Sequence, residues 1–221
     1  MEKLRFSLLS LTFCGVFFVW VKLILYPTKG DSTVTPFVFP TTVPLPAWQL
    51  LVSSPLDHQT GKNPQFLSGR HYRYIQNGQP LDIEMRYLVD TDGEVEGLVR
   101  KYTFIPSSFN KFLSVQRQHE GVGFYDLFVH QGRAYLSACI NPRGDSTVTN
   151  DQFKHNQNIY DWQFNRLLPW LLSRAELRDK RCLWAKLSIP LKNSSQTDAY
   201  QTLETAWFPW VQWWRPRFPQ Q

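Results

Sequence analysis

The chain has few of the residue patterns that mark metal and redox sites. Its 221 residues include three cysteines and five histidines, with no Cys-x-x-Cys pair and no two histidines three or four positions apart. Zinc ribbons, thioredoxin-type centres and helical zinc motifs all depend on such spacings. We therefore predict that the protein holds no metal and no other cofactor.

Motifs of nucleophilic and phosphate chemistry are missing as well. No Gly-x-Ser-x-Gly elbow occurs in the sequence. Gly121 and Gly123 form the one closely spaced glycine pair, and they lack the Lys and the Ser or Thr of a phosphate loop. A β-bulge or a close approach between strands explains this pair better. The sequence thus predicts a protein that is not an enzyme.

One pair of carboxylates remains as a candidate for acid–base catalysis. Asp82 and Glu84 stand two positions apart, so they lie on the same face of a predicted strand, and Arg86 follows them on that face. An exposed charged face is the favoured interpretation. The alternative is an exported hydrolase-like enzyme that acts on polysaccharide or peptide through Asp82 and Glu84 or through a Cys139 thiolate.

What the sequence does contain is a long apolar run close to its start. Residues 6–26 carry a single charge, at Lys22. About 20 apolar residues at ~1.5 Å each match a bilayer core of ~30 Å, and a lysine near the end of the run can extend to the headgroups. The alternative is a cleaved signal peptide with residues 1–5 as its charged start, but no Ala-x-Ala cleavage site follows. We therefore predict one uncleaved transmembrane helix within residues 1–26.

The charge balance bears on the surroundings of the protein. A net charge of +6 and a pI of about 9.3 suit an anionic membrane surface or an acidic polymer, although a solvated surface with a mild basic excess is the plainer interpretation. Nucleic acid is not expected, because the basic residues are scattered and the domain is expected outside the cytoplasm. The predicted location is the cell membrane, single-pass, with the globular domain on the extracytoplasmic side.

Three segments are predicted along the chain. Residues 1–26 form the anchor, and residues 27–46, which are rich in proline, form an extended linker. Residues 47–221 are long enough for one domain with a sizeable core. Asn77-Gly78 and Gln131-Gly132 mark the tight turns of two hairpins.

The remaining patterns complete a predicted α+β fold. Strands are predicted at residues 48–52, 72–75, 81–89, 122–129, 134–140 and 182–191. Helices are predicted at residues 94–102, 159–174 and from 195 onward, and residues 141–158 are predicted to be a long polar loop. The expected architecture is a single N-terminal transmembrane helix followed by a mostly antiparallel sheet of about six strands packed with helices.

Aromatic and basic residues are concentrated at the C-terminus. The apolar residues of the last helix recur at helical spacing, which a packed core explains by itself. Tryptophan and arginine are also enriched at binding hot spots and membrane interfaces. The candidates for docking to a membrane partner or the bilayer are Trp210, Trp213, Trp214, Arg215 and Arg217.

Two cysteines of the predicted domain, Cys139 and Cys182, could form a disulfide in an oxidising compartment. Sequence spacing does not show whether they lie within bonding distance, so two buried thiols remain the alternative. Cys14 belongs to the apolar run.

A resemblance to a known family emerges from these segments. The apolar run, a proline-rich lead-in with Phe39-Pro40 and Val43-Pro44-Leu45-Pro46-Ala47-Trp48, and the segments 69–74 (Gly-Arg-His-Tyr-Arg-Tyr) and 81–87 (Leu-Asp-Ile-Glu-Met-Arg-Tyr) are similar to the cyanoexosortase A system-associated proteins. More distantly, the chain resembles the accessory proteins that accompany exosortases in bacteria making exopolysaccharide. The likeness covers most of the chain, and its motifs are structural.

The resemblance implies a role beside an exosortase, the integral-membrane enzyme thought to process proteins with a PEP-CTERM sorting tail. It implies an accessory without an assigned reaction, and no catalytic residue carries over, since the transpeptidase's Cys, Arg and His lie on transmembrane helices of the enzyme. The expected function is therefore that of a membrane-anchored accessory of protein sorting that binds the exosortase or its sorted substrates.

Overall fold

The protein was analysed as a computed structural model, which describes residues 2–25, 36–56, 65–103, 114–161, 178–191 and 195–219. Its strands are β1 (Gln49–Pro55), β2 (Phe66–Gln76), β3 (Gln79–Leu88), β4 (Val115–His119), β5 (Gly123–His130), β6 (Arg133–Ile140) and β7 (Cys182–Pro190). Its α-helices are α1 (Glu2–Leu25), α2 (Val95–Tyr102), α3 (Asn150–Tyr160) and α4 (Gln196–Trp214). A short 3₁₀ turn, Arg215–Arg217, follows α4.

All seven strands form one antiparallel sheet in the order β1-β2-β3-β7-β6-β5-β4. The two predicted hairpins are confirmed, and each turns through a pair of residues with positive φ, 48° and 78° at Asn77 and Gly78 and 46° and 70° at Gln131 and Gly132. Such turns match the twist of the strands they join. Strand β7 enters between β3 and β6 and so connects the two hairpins into one sheet.

One face of the sheet, the inner face, is covered by α4. Alternate side chains of β2 and β3 point to this face, as the period of a strand requires. Trp210 of α4 packs edge-on against Tyr72, with ring centroids 5.4 Å apart, and its indole N–H lies 3.3 Å from the sulfur of Met85. The helix begins as predicted at Ser195, whose Oγ accepts from the backbone N–H of Asp198. The inner face is therefore the main hydrophobic core.

The opposite face of the sheet, the outer face, is partly covered by α2. Val95, Leu98 and Val99 of this helix are buried. Its last residue, Tyr102, contacts Trp184 of β7 with ring centroids 5.8 Å apart. The short helix predicted over residues 94–102 is thus confirmed.

Part of the predicted linker packs against the domain. Phe39, Val43 and Leu45 are buried in the core. The hydroxyl of Tyr72 donates to the carbonyl of Pro40 at 2.8 Å, and the hydroxyl of Tyr74 donates to the carbonyl of Val43 at 2.7 Å. These contacts fix the chain entering β1.

The predicted transmembrane helix is contradicted. Helix α1 spans Glu2–Leu25, yet in the part of the chain that the structure describes no helix is long and apolar enough to cross a membrane. The rest of the predicted fold class, an α+β fold with a mostly antiparallel sheet, is confirmed with seven strands.

Two further differences concern single elements. Strand β4 was not predicted, and the predicted loop 141–158 contains α3. Thr149 caps this helix, since its side chain accepts from the backbone N–H of Gln152 while the Gln152 side chain accepts from the backbone N–H of Thr149. The predicted helix over residues 159–174 begins within α3 and otherwise lies mostly outside the described residues.

Candidate functional site

Charged side chains gather on the outer face of the sheet, beside the area that α2 covers. We call this group the charged cluster. Its members come from β2, β3, β6 and β7 and are His71, Arg73, Asp82, Glu84, Arg86, Arg133 and Lys186.

Strand register explains how residues distant in sequence meet there. On β3, Asp82 stands opposite Arg73 of β2 on one side and Ser188 of β7 on the other. Two positions along, Glu84 stands opposite His71 and Lys186 in the same way. Residues directly opposite on one face lie about 4.5–5.5 Å apart, within reach of ionic side chains. The antiparallel pairing therefore builds two rows of charge across the sheet.

Asp82 is the centre of the first row. Its Oδ1 accepts from Arg73 Nε at 2.7 Å and lies 3.1 Å from His71 Nε2, while its Oδ2 accepts from Arg133 Nη2 at 2.7 Å. Burial alone would raise the pKa of this carboxyl. The hydrogen bonds from His71 and Arg73 and the charges of Arg73 and Arg133 outweigh burial and hold the pKa well below its usual range. Asp82 is thus a carboxylate at any neutral pH.

Glu84 forms the second row with two cations. Lys186 Nζ lies 2.8 Å from Glu84 Oε1, and Arg86 Nη1 donates to Glu84 Oε2 at 2.7 Å. Burial would raise the pKa of Glu84, but the charges of Lys186 and Arg86 lower it. For Lys186 burial is the stronger effect, and its pKa is lowered in spite of the attraction to Glu84.

Aromatic rings surround Arg86 at one end of the charged cluster. The Arg86 guanidinium carbon lies 5.1 Å from the ring centroid of Trp184, 5.5 Å from that of Tyr102 and 6.0 Å from that of Phe66. At these distances the ring faces attract the cation. Arg86 is therefore fixed in place by rings as well as by Glu84.

These contacts bear directly on the acid–base candidates from the sequence. A general acid must hold a proton near neutral pH, and a general base needs a free oxygen facing substrate. Asp82 and Glu84 are ionised, and both oxygens of each carboxylate are engaged by cations. The arrangement suits fixed charges that position cations, and it does not suit proton transfer.

The structure separates the C-terminal candidates into buried and exposed residues. Trp210 and Trp214 are completely buried in the core, as the spacing of the last helix explains by itself. Arg215 is partly buried and donates to the carbonyl of Val122 and to Asp145 at 2.8 and 2.9 Å. Trp213 is half-buried and Arg217 is exposed.

Trp213 and Arg217 form a joined surface pair at the end of α4. The Arg217 guanidinium carbon lies 4.4 Å from the centroid of the Trp213 ring, and Arg217 Nη1 donates to the Trp213 carbonyl at 2.8 Å. The stacking on Arg217, together with an edge-on contact between Trp213 and Trp214 at a centroid distance of 4.9 Å, holds the pair in one orientation. Of the predicted docking set, this pair is the part that a partner could reach.

Cys139 and Cys182 form a disulfide in the structure, with their Cα atoms 5.7 Å apart. Both residues are buried on neighbouring central strands, β6 and β7. This position leaves no exposed thiolate at Cys139 for nucleophilic chemistry.

Reduction of this disulfide is expected to lower the free energy of unfolding by about 2–4 kcal/mol, because the bond joins residues 43 apart in sequence. Urea unfolding with and without dithiothreitol measures the effect. The background should be Cys14→Ser, so that the remaining free cysteine plays no part. If reduction does not change the urea concentration at the unfolding midpoint, the disulfide is ruled out.

Asp126 provides a pH-dependent test of the outer face. Burial, with the charges of Glu94 and Glu96 added, raises its pKa from 3.8 to about 6. Between these values the folded protein keeps a proton that the unfolded chain releases, so stability falls as pH rises from about 4 to about 6. Asp126→Asn removes this loss and is expected to stabilise the fold by about 2 kcal/mol at pH 7.5. Thermal unfolding at pH 4 should show no gain, and an equal gain at both pH values would contradict the assignment.

Sequence reasoning found Asp82, Glu84 and Arg86 but missed the other partners of the two carboxylates. Counting outward from the Asn77-Gly78 turn pairs Arg73 with Asp82 and His71 with Glu84, so this signal was present. Arg133 and Lys186 had no such signal, because the sequence does not say that β7 lies between β3 and β6.

No family model, curated protein or solved structure matches this chain. In the part of the chain described by the structure, no three or more His, Cys, Asp or Glu residues are grouped so that they could hold a metal ion. What the charged cluster and the Trp213–Arg217 pair do is therefore inferred from their geometry.

Proposed function

We propose that this protein is an accessory of an exosortase-type protein-sorting system, linked to exopolysaccharide production, and that it acts by binding. Its partner is the exosortase or a substrate with a PEP-CTERM-type tail. The proposal takes the system from the resemblance of residues 39–48, 69–74 and 81–87 to exosortase-associated proteins. It takes the mode of action from the site geometry.

The observation that carries the mode of action is the state of Asp82 and Glu84. Five basic side chains contact these two carboxylates, and the pKa values of Asp82 and Glu84 are lowered. Carboxylates held in this way supply neither the proton nor the free base of a hydrolase. This favours a binding protein over the alternative of an exported enzyme acting on polysaccharide or peptide.

The disulfide supports a place on the extracytoplasmic side. Disulfides such as Cys139–Cys182 persist in oxidising compartments and are rare where thiols are kept reduced. An accessory that meets sorted proteins after export would work in such a compartment.

The Trp213–Arg217 pair supports a docking role at the end of α4. Tryptophan and arginine are the residue types most enriched among binding hot spots. Here the pair is preoriented by its own stacking, so little side-chain entropy is lost when a partner covers it. We place the contact with the partner on this pair.

Co-purification tests the proposal. The tagged full chain is expressed together with an exosortase and a tailed substrate, solubilised gently and recovered. We expect the exosortase or the substrate to be retained with the wild-type chain and lost with Trp213→Ala, Arg217→Gln. Arg117→Gln is the matched control, since this arginine is also exposed and lies on the edge strand β4. Recovery of neither protein above the level of an empty tag would refute the proposal.

A second variant addresses the enzymatic alternative. Asp82→Asn, Glu84→Gln removes both charges while keeping hydrogen-bonding groups of the same shape. We expect cells that carry it at wild-type abundance to sort tailed proteins normally. Loss of sorting with abundance unchanged would favour the enzyme.

A further inference from the structure

The charged cluster contains more positive than negative charge. Four cations, Arg73, Arg86, Arg133 and Lys186, surround only two carboxylates, those of Asp82 and Glu84. His71 adds a further positive charge whenever it is protonated. Within the described members of the cluster, about two positive charges are therefore not matched by a carboxylate.

Two of these cations share a single carboxylate and remain accessible. Arg73 and Arg133 both donate to Asp82, and their side chains are 50% and 32% exposed. Among the described residues, Arg73 bonds Asp82 through Nε, and Arg133 bonds Asp82 and Ser188 through Nη2 and also interacts with the Tyr135 hydroxyl. A guanidinium has five N–H donors, so both retain donors for another acceptor.

Lys186 lies in the neighbouring row of the cluster, opposite Glu84. Its side chain is 11% exposed, and Arg86 and Arg133 are close enough to act on it together with Glu84. A cation so poorly solvated is stabilised by any further negative charge placed above it. A further anion bound near the cluster would therefore also stabilise the charged form of Lys186.

We propose that the charged cluster is a binding site for a phosphate-type oxyanion, held between Arg73 and Arg133. A phosphate monoester carries about −1.5 to −2 charges near pH 7 and has three acceptor oxygens, which matches the excess of about two positive charges. Two guanidiniums that converge on one carboxylate can each donate further hydrogen bonds to such a group. The site does not depend on the sorting role, because it would bind its anion with or without an exosortase.

Asp82 competes with the ligand in this arrangement. Its carboxylate occupies one donor of each arginine and cancels part of their charge. Removal of that charge by Asp82→Asn should therefore strengthen binding of an external anion. A purely structural ion-pair network predicts no such gain.

Calorimetric titration of the full chain with inorganic phosphate tests the site. We expect saturable binding, weakened about tenfold or more by Arg73→Gln, Arg133→Gln and strengthened severalfold by Asp82→Asn. Arg117→Gln is the matched control, because this arginine lies on the far edge strand β4, is 42% exposed and pairs with Glu204 of α4. The variant should bind phosphate like the wild type. Absence of saturable binding, or weaker binding by Asp82→Asn, would overturn the proposal.

The source of the phosphate is distinguished with vesicles. Phosphatidic acid presents a phosphate monoester at a membrane surface, and phosphatidylcholine vesicles are the blank. Recruitment to phosphatidic acid that depends on Arg73 and Arg133 identifies a lipid headgroup, and binding of inorganic phosphate alone identifies a free or small-molecule phosphate. Arg73→Lys, Arg133→Lys keeps the charge and the pairing with Asp82, so a severalfold loss in this variant is expected even where the Gln variant folds poorly.

Discussion

Trp214→Ala is expected to lower the free energy of unfolding by about 3–5 kcal/mol. The Trp214 side chain is completely buried. Its ring packs against Phe39 and Trp210, with centroid distances of 5.5 and 6.1 Å. Truncation removes these contacts and leaves a large cavity between α4 and the chain that enters β1. Urea unfolding followed by circular dichroism gives the difference.

Trp213→Ala is the matched control for this effect. The neighbouring tryptophan is half-buried at the surface and stacks with Arg217. A smaller loss of about 1–2 kcal/mol is expected there, because Trp213 is only partly buried and its main core contact is the Trp214 ring, at a centroid distance of 4.9 Å. Equal losses in the two variants would contradict the division of the C-terminal tryptophans into a core residue and a surface residue.

Arg181→Met is expected to lower the free energy of unfolding by a similar amount, about 3–5 kcal/mol. Here the loss comes from a broken buried ion pair and not from lost packing. Arg181 is buried just before β7. Its Nε and Nη2 donate to the two oxygens of Asp179 at 2.8 and 2.7 Å, and its Nη1 donates to the carbonyl of Pro219 at 2.7 Å. Methionine fills much of the same space but leaves the buried Asp179 with only the backbone N–H of residue 181, at 3.2 Å, and Arg143, at 3.4 Å, among these described partners. Unfolding in urea measures the loss.

Arg181→Lys separates charge from geometry at this position. Lysine keeps the positive charge but has no planar fork to reach both oxygens of Asp179 and the Pro219 carbonyl together. We expect an intermediate loss. Wild-type stability in both variants would mean that the network contributes nothing to the fold.

The elements that sequence predicted well are those with strong local signals. The two hairpins have a turn pair with positive φ and alternating apolar residues on both sides. Helix α4 has a capping serine and an apolar stripe at helical spacing. In each case a few neighbouring residues determine the conformation, so distant contacts are not needed to recognise it.

The missed elements have weaker or overlooked signals. All five residues of β4, from Val115 to His119, are exposed at the edge of the sheet, so no apolar alternation marks the strand. Helix α3 did carry a signal, since Thr149 and Gln152 have the spacing of a capping box. Its polar composition led to the prediction of a loop.

The apolar run at the N-terminus shows where composition alone misleads. Its residues predicted a helix, and α1 is helical. The further step to a membrane span is contradicted, because in the described residues no helix has the necessary length and apolar character.

The candidate site could be predicted only in part for a related reason. Asp82 and Glu84 share a face by strand periodicity, which sequence reveals. Arg133 and Lys186 reach them because β7 inserts between β3 and β6, a long-range pairing about 50 to 100 residues apart in sequence. Without knowledge of that pairing, the two carboxylates are interpreted as a charged surface or a catalytic pair. The sequence does not show that cations contact both oxygens of each carboxylate.

The claim that this protein acts by binding is tested most directly by the affinity of the purified full chain for a purified exosortase and for a tailed substrate, measured by biolayer interferometry. We expect saturable binding to at least one of them, weakened about tenfold or more by Trp213→Ala, Arg217→Gln and unchanged by Arg117→Gln. The claim would be contradicted by two results together. The chain would bind neither protein, and it would by itself turn over the substrate in a reaction that Asp82→Asn abolishes.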